Sequence, residues 1–431
     1  MVFSISASRI NEIAKLFVLW ILSNRKVQHE TKKRFLMVLR TVSQHTNFKL
    51  PFKASLQGHL RQLLASTFIL FVAACTPAVN PEDKGKVGFV NGFIGGVSID
   101  EPRAALIGRD ILSSGGTAAD AVTAMYFAAS VTMPASASLG GGGVCVVYDR
   151  KENKIEALDF LTRTPKQISS TVSRPVGVPM NARGFYVLQS KYGDLRWSQL
   201  LAPAENLARF GSQVSRALAA ELTPVASALV QDVEARRIFT NAAGQVVKEG
   251  DFIKQFDLAA TITEIRTKGP GALYTGSFAS RFVDAVKVAG GDISIDDLRN
   301  ALPVWRETVQ GKTVDFKEAH FAPPAAAGGV VAAQMWSILA QYDDFDDADE
   351  ATRQHILAEA AMRAYGDRAQ WVISSGESKI TPENLLTDDH IKQLMAGLNG
   401  TQHTPAASLQ SKPVETPETP SALSMAAVDS Y

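Results

Sequence analysis

Four consecutive glycines, Gly140–Gly143, are the residues whose type and spacing bear most directly on chemistry. Because glycine carries no Cβ, a second backbone or a ligand can approach it within contact distance. A phosphate-binding loop is excluded, since the run lacks the lysine and the serine or threonine of that motif. A dinucleotide site is excluded as well, because an apolar strand pattern at 144–149 follows where a helix is required.

Other enzyme signatures are missing from the sequence. It contains no Gly-x-Ser-x-Gly elbow, and its 7 histidines are scattered without metal-ligand spacing. The 431 residues, 46% of them hydrophobic and 20% charged, are typical of a globular protein with a large core. A net charge of +1 argues against nucleic-acid binding, and two cysteines, Cys75 and Cys145, argue against a disulfide framework. We expect neither a cofactor nor a metal ion.

Two helices and a strand must position the glycine run. Gly115 and Gly116 predict the end of the first helix, since glycine supplies the left-handed stop that a helix C-terminus favours. Thr117 and Asp120 resemble a capping box with aspartate in place of glutamate, and alanines then recur at helical spacing. The alanine-rich face can pack very close to a sheet. Residues 144–149 predict a buried central strand.

From about Val87 onward, strand patterns alternate with amphipathic helices, which favours a layered α/β or α+β fold. Further helices are predicted at 197–209, 218–231, 278–289, 330–341 and 351–371. Residues 400–420 are rich in proline, threonine and serine and predict a flexible linker. An apolar strand pattern follows at 422–429.

Motifs spread over roughly residues 95–372 together resemble the γ-glutamyltranspeptidase (glutathione hydrolase) family. The motifs are GGTAADAV, SLGGGGVCVVYD and Asp-Phe with a nearby arginine, followed by Val176–Pro179, Lys191–Trp197, Pro203–Ala208, Tyr274–Gly276, Gly290–Asp292, Pro323–Gly329 and Glu359–Arg368. The resemblance implies an α+β fold, the four-layer αββα sandwich of N-terminal nucleophile hydrolases. It covers the large-subunit half of that family, so we expect the sandwich to be incomplete without the small-subunit half.

The resemblance implies γ-glutamyl transfer or hydrolysis on glutathione or another γ-glutamyl amide. Such enzymes cut their own precursor, and the new N-terminal threonine is the nucleophile. The family's strand TTH-x-SVVD matches 422–429, which places Ala422 at the nucleophile position and Ser424 inside the strand. Ser421 and Thr419 are the nearby hydroxyls that a short gap would recruit, although Pro420 hinders the chemistry at Thr419. The alternative is that both are ordinary linker residues.

The family's Asp-Phe-Arg-Glu motif implies an arginine that clamps the substrate α-carboxylate, a task suited to the planar guanidinium. This chain reads Asp159-Phe-Leu-Thr-Arg163, so Arg163 stands two residues late. On a strand this keeps the same face but moves the guanidinium about 6 to 7 Å. We therefore expect Arg163 to bind the carboxylate, and a structural salt bridge to a neighbouring acid is the alternative.

The N-terminal sequence predicts export. Residues 61–75 form a short apolar leader, and Val72-Ala-Ala-Cys75 resembles a bacterial lipobox. We expect lipidation of Cys75 and attachment in the periplasm or cell envelope; an ordinary secretory signal peptide is the alternative. Residues 1–60 are interpreted as a mis-started or atypical leader, and 76–95 as a tether.

The rest of the chain is interpreted as three segments. Residues 96–399 form the large-subunit-like domain, 400–421 the linker before the cleavage point, and 422–431 the first strand of the small-subunit half. The expected partners are a small γ-glutamyl substrate, the missing small subunit or a continuation of the chain, and a membrane through the lipid on Cys75, but no nucleic acid. The alternative function is a non-catalytic exported lipoprotein that keeps the scaffold as a binding or structural module.

Overall fold

The computed structural model describes residues 95–169, 172, 176–313, 318–371, 382–409 and 422–429. The chain divides into two units, 1–84 and 85–431, and all described residues belong to the second. The leader, the tether and Cys75 therefore lie outside the described residues.

The described residues form nine strands and fifteen α-helices. The strands are β1 (Gly96–Ile99), β2 (Gly143–Asp149), β3 (Lys154–Phe160), β4 (Ser212–Gln213), β5 (Phe252–Ile253), β6 (Val304–Arg306), β7 (Val309–Gln310), β8 (His320–Phe321) and β9 (Met425–Val428). The helices are α1 (Pro102–Ser113), α2 (Ala118–Thr132), α3 (Pro134–Ala137), α4 (Asn181–Tyr192), α5 (Trp197–Phe210), α6 (Arg216–Leu229), α7 (Val233–Phe239), α8 (Phe256–Lys268), α9 (Gly276–Val288), α10 (Ile295–Asn300), α11 (Ala327–Leu339), α12 (Glu350–Trp371), α13 (Pro382–Leu385), α14 (Asp388–Leu394) and α15 (Ala406–Leu409), with a 3₁₀ turn at Pro270–Leu273. This mixture of helices and antiparallel strand pairs confirms the predicted α+β class.

The helix pair that precedes the glycine run is confirmed. α1 ends at Ser113, and Gly115 then takes a positive φ of 86°. α2 starts with a capping box, in which the Thr117 hydroxyl accepts from the Asp120 amide while the Asp120 carboxylate accepts from the Thr117 amide. Nearly all of α2 is buried, because its small alanine side chains let α1, α4, α5 and β9 pack around it.

The strands form antiparallel pairs. β3 lies between β2 and β6, with Val144 opposite Asp159 and Val304 opposite the same residue on the other side. β1 pairs with β9, β4 with β5, and β7 with β8. The prediction of a central strand at 144–149 is wrong for the described residues, in which β2 is an edge strand. Its apolar residues include Val146 and Tyr148, which are 43% and 58% exposed.

The five further helices predicted from periodicity are confirmed as α5, α6, α9, α11 and α12, with ends that differ by at most three residues. The strand predicted at 422–429 is confirmed as the shorter β9. Ser424 precedes β9 instead of lying inside it, because the pairing with β1 begins at Met425. Of the described helices, none combines the length and the apolar character needed to cross a lipid bilayer.

The main core surrounds α2 and joins it to α4, α5 and α8. A smaller core around Leu218 and Ile253 stabilises α6 with the β4–β5 pair. Two further clusters lie where α12 packs against α11 and α14. α12 also carries a buried ion pair between Glu359 and Arg363, whose side chains are 0% and 1% exposed. Their charged atoms lie 2.5 Å apart.

Candidate active site

A groove of about 1150 Å³ runs between β2 and the segment 422–429. The start of α2, the Gly142–Gly143 backbone and the α4 side chains complete its lining. We call this space the groove. Both Ala422, at the position of the family's nucleophile in the ungapped match, and Ser424 lie in its wall. The groove is therefore the place where the C-terminal segment and the glycine run meet.

β9 reaches the groove through its pairing with β1. The register places Gly96 opposite Val428 and Ile99 opposite Met425. Beyond the last paired residue, the carboxylate of Asp429 accepts a hydrogen bond from the Ala118 amide at 2.6 Å. Ala118 is the first residue of α2, whose amides carry the positive end of the helix dipole, so a carboxylate is stabilised there.

Asp120 holds the start of α2 in place. Its carboxylate is fully buried and accepts hydrogen bonds from the amides of Thr117, Asp194 and Leu195 and from the Gln189 side chain. A buried carboxylate is stable only when its oxygens are satisfied in this way. The contacts connect α2 to α4 and to the loop that precedes α5.

The glycine run is held from two sides. The Asn181 side chain and the Tyr126 hydroxyl both donate to the Ser138 carbonyl, at 2.9 and 3.0 Å. The amide of Asn181 also donates to the Gly141 carbonyl at 3.1 Å. A Cβ on Gly142 would overlap the backbone of Phe160–Thr162, so the predicted close approach of a second backbone is confirmed. The run thus forms a fixed wall of the groove.

A charged cluster holds Lys191 and Tyr192, two of the α4 residues that line the groove. Glu156 on β3 is 5% exposed and accepts hydrogen bonds from Lys191 and Tyr192 of α4, while Lys154 forms an ion pair with it. Burial raises the pKa of the Glu156 carboxyl, but hydrogen bonds from Lys154, Lys191 and Tyr192 outweigh burial and hold it at about 2. The Lys191 ammonium also lies 4.1 Å from the centre of the Trp305 ring. These contacts fix α4 against the sheet.

Cys145 is the thiol in the groove wall. It lies on β2 opposite Leu158, and its side chain is partly covered. Burial raises the pKa of the thiol to about 12, so it is protonated at neutral pH. Because the thiolate is the reactive form, Cys145 is not poised to act as a nucleophile.

Arg163 lies just beyond the end of β3. Its backbone pairs with Val178, and its guanidinium forms an ion pair with Asp159 at 3.0 Å. Asp159 is 2% exposed and also binds Arg306 of β6 at 2.9 Å. Arg163 is absent from the groove lining, whereas Leu161 is part of it. The ion pair that the sequence offered as the alternative role of Arg163 is therefore present.

The other predicted site residues, Ser421, Thr419 and Cys75, lie outside the described residues. Ser424, the serine that follows Ala422 by two positions, is exposed. Its backbone amide donates a hydrogen bond to the Asp100 carboxylate at 3.4 Å. The contacts of Asp429 and Asn181 were not predicted from the sequence. The Asp at the end of the apolar strand pattern was the available signal for the first, and nothing local marks the second.

The family model for gamma-glutamyltranspeptidase matches residues 104–431. The chain is 31% identical over 323 residues to a glutathione hydrolase proenzyme of Bacillus subtilis, a match that covers 71% of this chain and 54% of the relative. It is 32% identical over 290 residues to glutathione hydrolase 3 of Arabidopsis thaliana, covering 64% of this chain and 45% of the relative. The chain thus spans about half the length of these curated relatives.

Solved structures agree with these matches. The γ-glutamyltranspeptidase of Helicobacter pylori superimposes with a TM-score of 0.67 at 26% identity, covering 75% of this chain and 97% of the matched chain. A cephalosporin acylase of Bacillus halodurans gives a TM-score of 0.65 at 23% identity, covering 82% of this chain and 67% of the matched chain, which shows a shared fold alone.

Proposed function

Because this chain belongs to the γ-glutamyltranspeptidase family, we propose that it is the large-subunit portion of an enzyme that transfers or hydrolyses γ-glutamyl groups. The substrate is glutathione or another γ-glutamyl amide. One observation carries the proposal for this chain: the segment 422–429, which matches the family's nucleophile strand, lines a large groove opposite the glycine run.

The reaction begins with cleavage of the precursor. A hydroxyl oxygen attacks the carbonyl carbon of the preceding residue, the peptide C–N bond breaks, and the resulting ester is hydrolysed by water. This step leaves the hydroxyl residue with a free α-amine that acts as its general base. The same oxygen then attacks the γ-glutamyl carbonyl, the amine of the substrate leaves, and water or a second amine releases the glutamyl group.

Ser421 is the proposed nucleophile, with Thr419 as the second candidate. Ala422 has no hydroxyl, so the residue at the ungapped match is incompetent. Ser421 directly precedes Ala422, which lines the groove, and the nitrogen of Ala422 carries a hydrogen. Thr419 instead precedes Pro420, whose ring nitrogen carries none. Arg163 is proposed to bind the substrate α-carboxylate through the guanidinium N–H groups that Asp159 does not bind.

The proposal includes a second polypeptide segment, either a continuation of this chain or a separate small subunit. β2 presents an edge and an exposed apolar face among the described residues, and such surfaces favour association with further strands. The protein is further proposed to be exported and lipidated at Cys75. Cys75→Ser is then expected to abolish labelling by a fatty-acid analogue and to release the protein from the membrane fraction.

Self-cleavage is the experiment that tests the proposed function. The gene is read downstream of codon 431, and the precursor so defined is expressed and followed by intact mass and by hydrolysis of γ-glutamyl-p-nitroanilide. We expect a cut within 418–422, lost in Ser421→Ala, with turnover lost in parallel. Thr416→Ala is the matched control, because Thr416 also precedes a proline in the same linker. Cleavage that survives both Ser421→Ala and Thr419→Ala contradicts the choice of nucleophile, and absence of both cleavage and turnover supports the non-catalytic lipoprotein.

A further inference from the structure

The side chains of β9 specify its register against β1 only weakly. Met425 and Ala427 pack against the main core, while Ala426 and Val428 point to the exposed face, with Val428 66% exposed. A slip by one residue normally moves polar side chains into the core, which penalises the wrong register. Within β9 it would exchange one apolar pair for another, so only the flanking residues, Leu423 against the core and the exposed Ser424, favour the native register through the hydrophobic pattern.

A polar contact at the other end of β9 adds to this weak preference. The Asp429 carboxylate accepts from the Ala118 amide at 2.6 Å, across 311 positions of sequence. The bond is short, involves a charged acceptor and uses an amide at a helix N-terminus, all features of strong hydrogen bonds. A slip by one residue displaces Asp429 by about 3.3 Å and turns its side chain to the other face, which breaks the bond.

The donor is itself held firmly. Thr117, which precedes Ala118, is bound by the buried Asp120 carboxylate through both its amide and its hydroxyl, at 3.1 and 3.3 Å. Asp120 in turn accepts from the amides of Asp194 and Leu195. The Ala118 amide is therefore a fixed point of the core, and the Asp429 bond positions β9 relative to it.

We propose that Asp429 is a positioning residue that fixes the register of β9 and thereby the place of Ala422 in the groove. Ala422 is connected to the anchored Asp429 through the short β9 segment, so a slip moves the whole entering segment by about 3.3 Å per residue. Displacements of about 1 Å already impair catalytic geometry. The consequence for self-cleavage rests on the proposed function; the register itself does not.

A cysteine cross-link tests the register directly. Ser98 and Ala426 are opposite each other and both exposed, so the pair Ser98→Cys/Ala426→Cys reports the native register. The pair Ser98→Cys/Ala427→Cys reports a slip by one residue, because Ala427 faces the core in the native register and lies opposite Val97. Both pairs are placed in a Cys75→Ser, Cys145→Ala background, and disulfide yield is measured under mild oxidation.

Two substitutions remove the proposed contact from opposite sides. Asp429→Ala removes the acceptor. Ala118→Pro removes the donor at the first position of α2, where proline is well tolerated, and the extended Thr117 (ψ 170°) suits the residue before a proline. We expect each to lower the native cross-link yield relative to the slipped form by about tenfold, and Asp429→Asn, which keeps a neutral acceptor, to have a smaller effect.

Asp100→Asn is the matched control. Asp100 accepts a hydrogen bond from the Ser424 amide at the other end of the strand pair, but at 3.4 Å this bond is long and weak. It is expected to leave the native cross-link within about twofold of the parent. An unchanged native cross-link in both Asp429→Ala and Ala118→Pro overturns the proposal. If either variant fails to fold, as judged by circular dichroism, the other and Asp429→Asn decide the outcome.

Self-cleavage gives the functional readout. In the precursor, the cleavage rate is expected to fall in the same order as the native cross-link yield, while Asp100→Asn cleaves normally. A parent precursor that does not cleave contradicts the proposed function, and the cross-link still decides the role of Asp429. Normal cleavage in a variant with a lost native cross-link overturns the positioning role.

Discussion

The carboxylate of Asp120 accepts a hydrogen bond from the backbone amide of Leu195 at 3.1 Å, which ties the start of α2 to the loop before α5. Asp120 is fully buried and binds the amides of Thr117 and Asp194 as well. Alanine would leave these donors without an acceptor, at about 1–3 kcal/mol each. We expect Asp120→Ala to lower the free energy of unfolding by at least about 3 kcal/mol, measured by urea denaturation.

Asp110→Ala is the control for this prediction. Like Asp120, Asp110 is a helical aspartate, and it lies on the neighbouring α1. Its side chain is 66% exposed, and it pairs with Arg109 at the surface. Exposed ion pairs contribute at most about 1 kcal/mol, so a small change is expected. Equal losses in the two variants would contradict the role given to Asp120.

Sequence patterns predicted the local half of this arrangement. Thr117 and Asp120 are three residues apart, and that spacing alone indicates a capping box. The bonds from Asp120 to Asp194 and Leu195 span 74 and 75 positions and have no periodic signal. Helix ends and strand patterns are visible in sequence because they depend on neighbours, whereas side-chain contacts between distant elements depend on the fold.

Gly184 on α4 packs against the Phe160 ring so closely that a Cβ would overlap it. The ring has little room to move, because it lies edge-on to Phe185 with centroids 5.3 Å apart. We expect Gly184→Ala to lower the free energy of unfolding by about 2 kcal/mol through overpacking. Urea denaturation measures the change, and Phe160→Leu in the same chain is expected to recover part of it.

Gly328→Ala is the matched control, since Gly328 is also helical and has no atom within 4 Å of an added Cβ. Alanine in such a position is expected to raise the free energy of unfolding by about 0.5 to 1 kcal/mol. A loss of similar size in both variants would show that helical glycine itself, not the Phe160 contact, is responsible.

The edge position of β2 shows where sequence reasoning failed. Residues 144–148 are apolar on both faces, a pattern that indicates burial on both sides. Val146 and Tyr148 are nevertheless exposed in the described residues. The pattern reports the environment that a strand requires and does not say which segment provides it.

Glu359 predicts an acid-dependent loss of stability. Burial raises the pKa of its carboxyl, but hydrogen bonds from Thr404 and the charge of Arg363 outweigh burial and hold it at about 2, below the ordinary 4.5. The lowered pKa stabilises the folded protein above pH 4.5, and this contribution is lost as the pH falls from 4.5 towards 2. Glu359→Gln is expected to lower the free energy of unfolding by about 3 kcal/mol at about pH 7 and by much less near pH 2.

Urea denaturation from about pH 2 to about pH 7 measures this difference. Glu234→Gln is the control, because Glu234 also pairs with an arginine, Arg237, but is 70% exposed. Its effect should be small and nearly independent of pH. A constant difference between Glu359→Gln and the parent over the whole range would rule out the linkage.

Arg163 and Arg306 provide a comparison that separates substrate binding from a structural ion pair. Both bind the buried Asp159 carboxylate, at 3.0 and 2.9 Å. If Arg163 also binds the substrate carboxylate, Arg163→Gln should raise the KM of the active precursor for γ-glutamyl-p-nitroanilide about tenfold, with a smaller change in kcat.

Arg306→Gln removes an equivalent partner from Asp159 and should leave KM within about twofold. Arg163→Lys keeps the charge but loses the guanidinium fork, so an intermediate KM is expected. Equal losses of stability in Arg163→Gln and Arg306→Gln, with KM unchanged in both, would leave Arg163 as a partner of Asp159 alone.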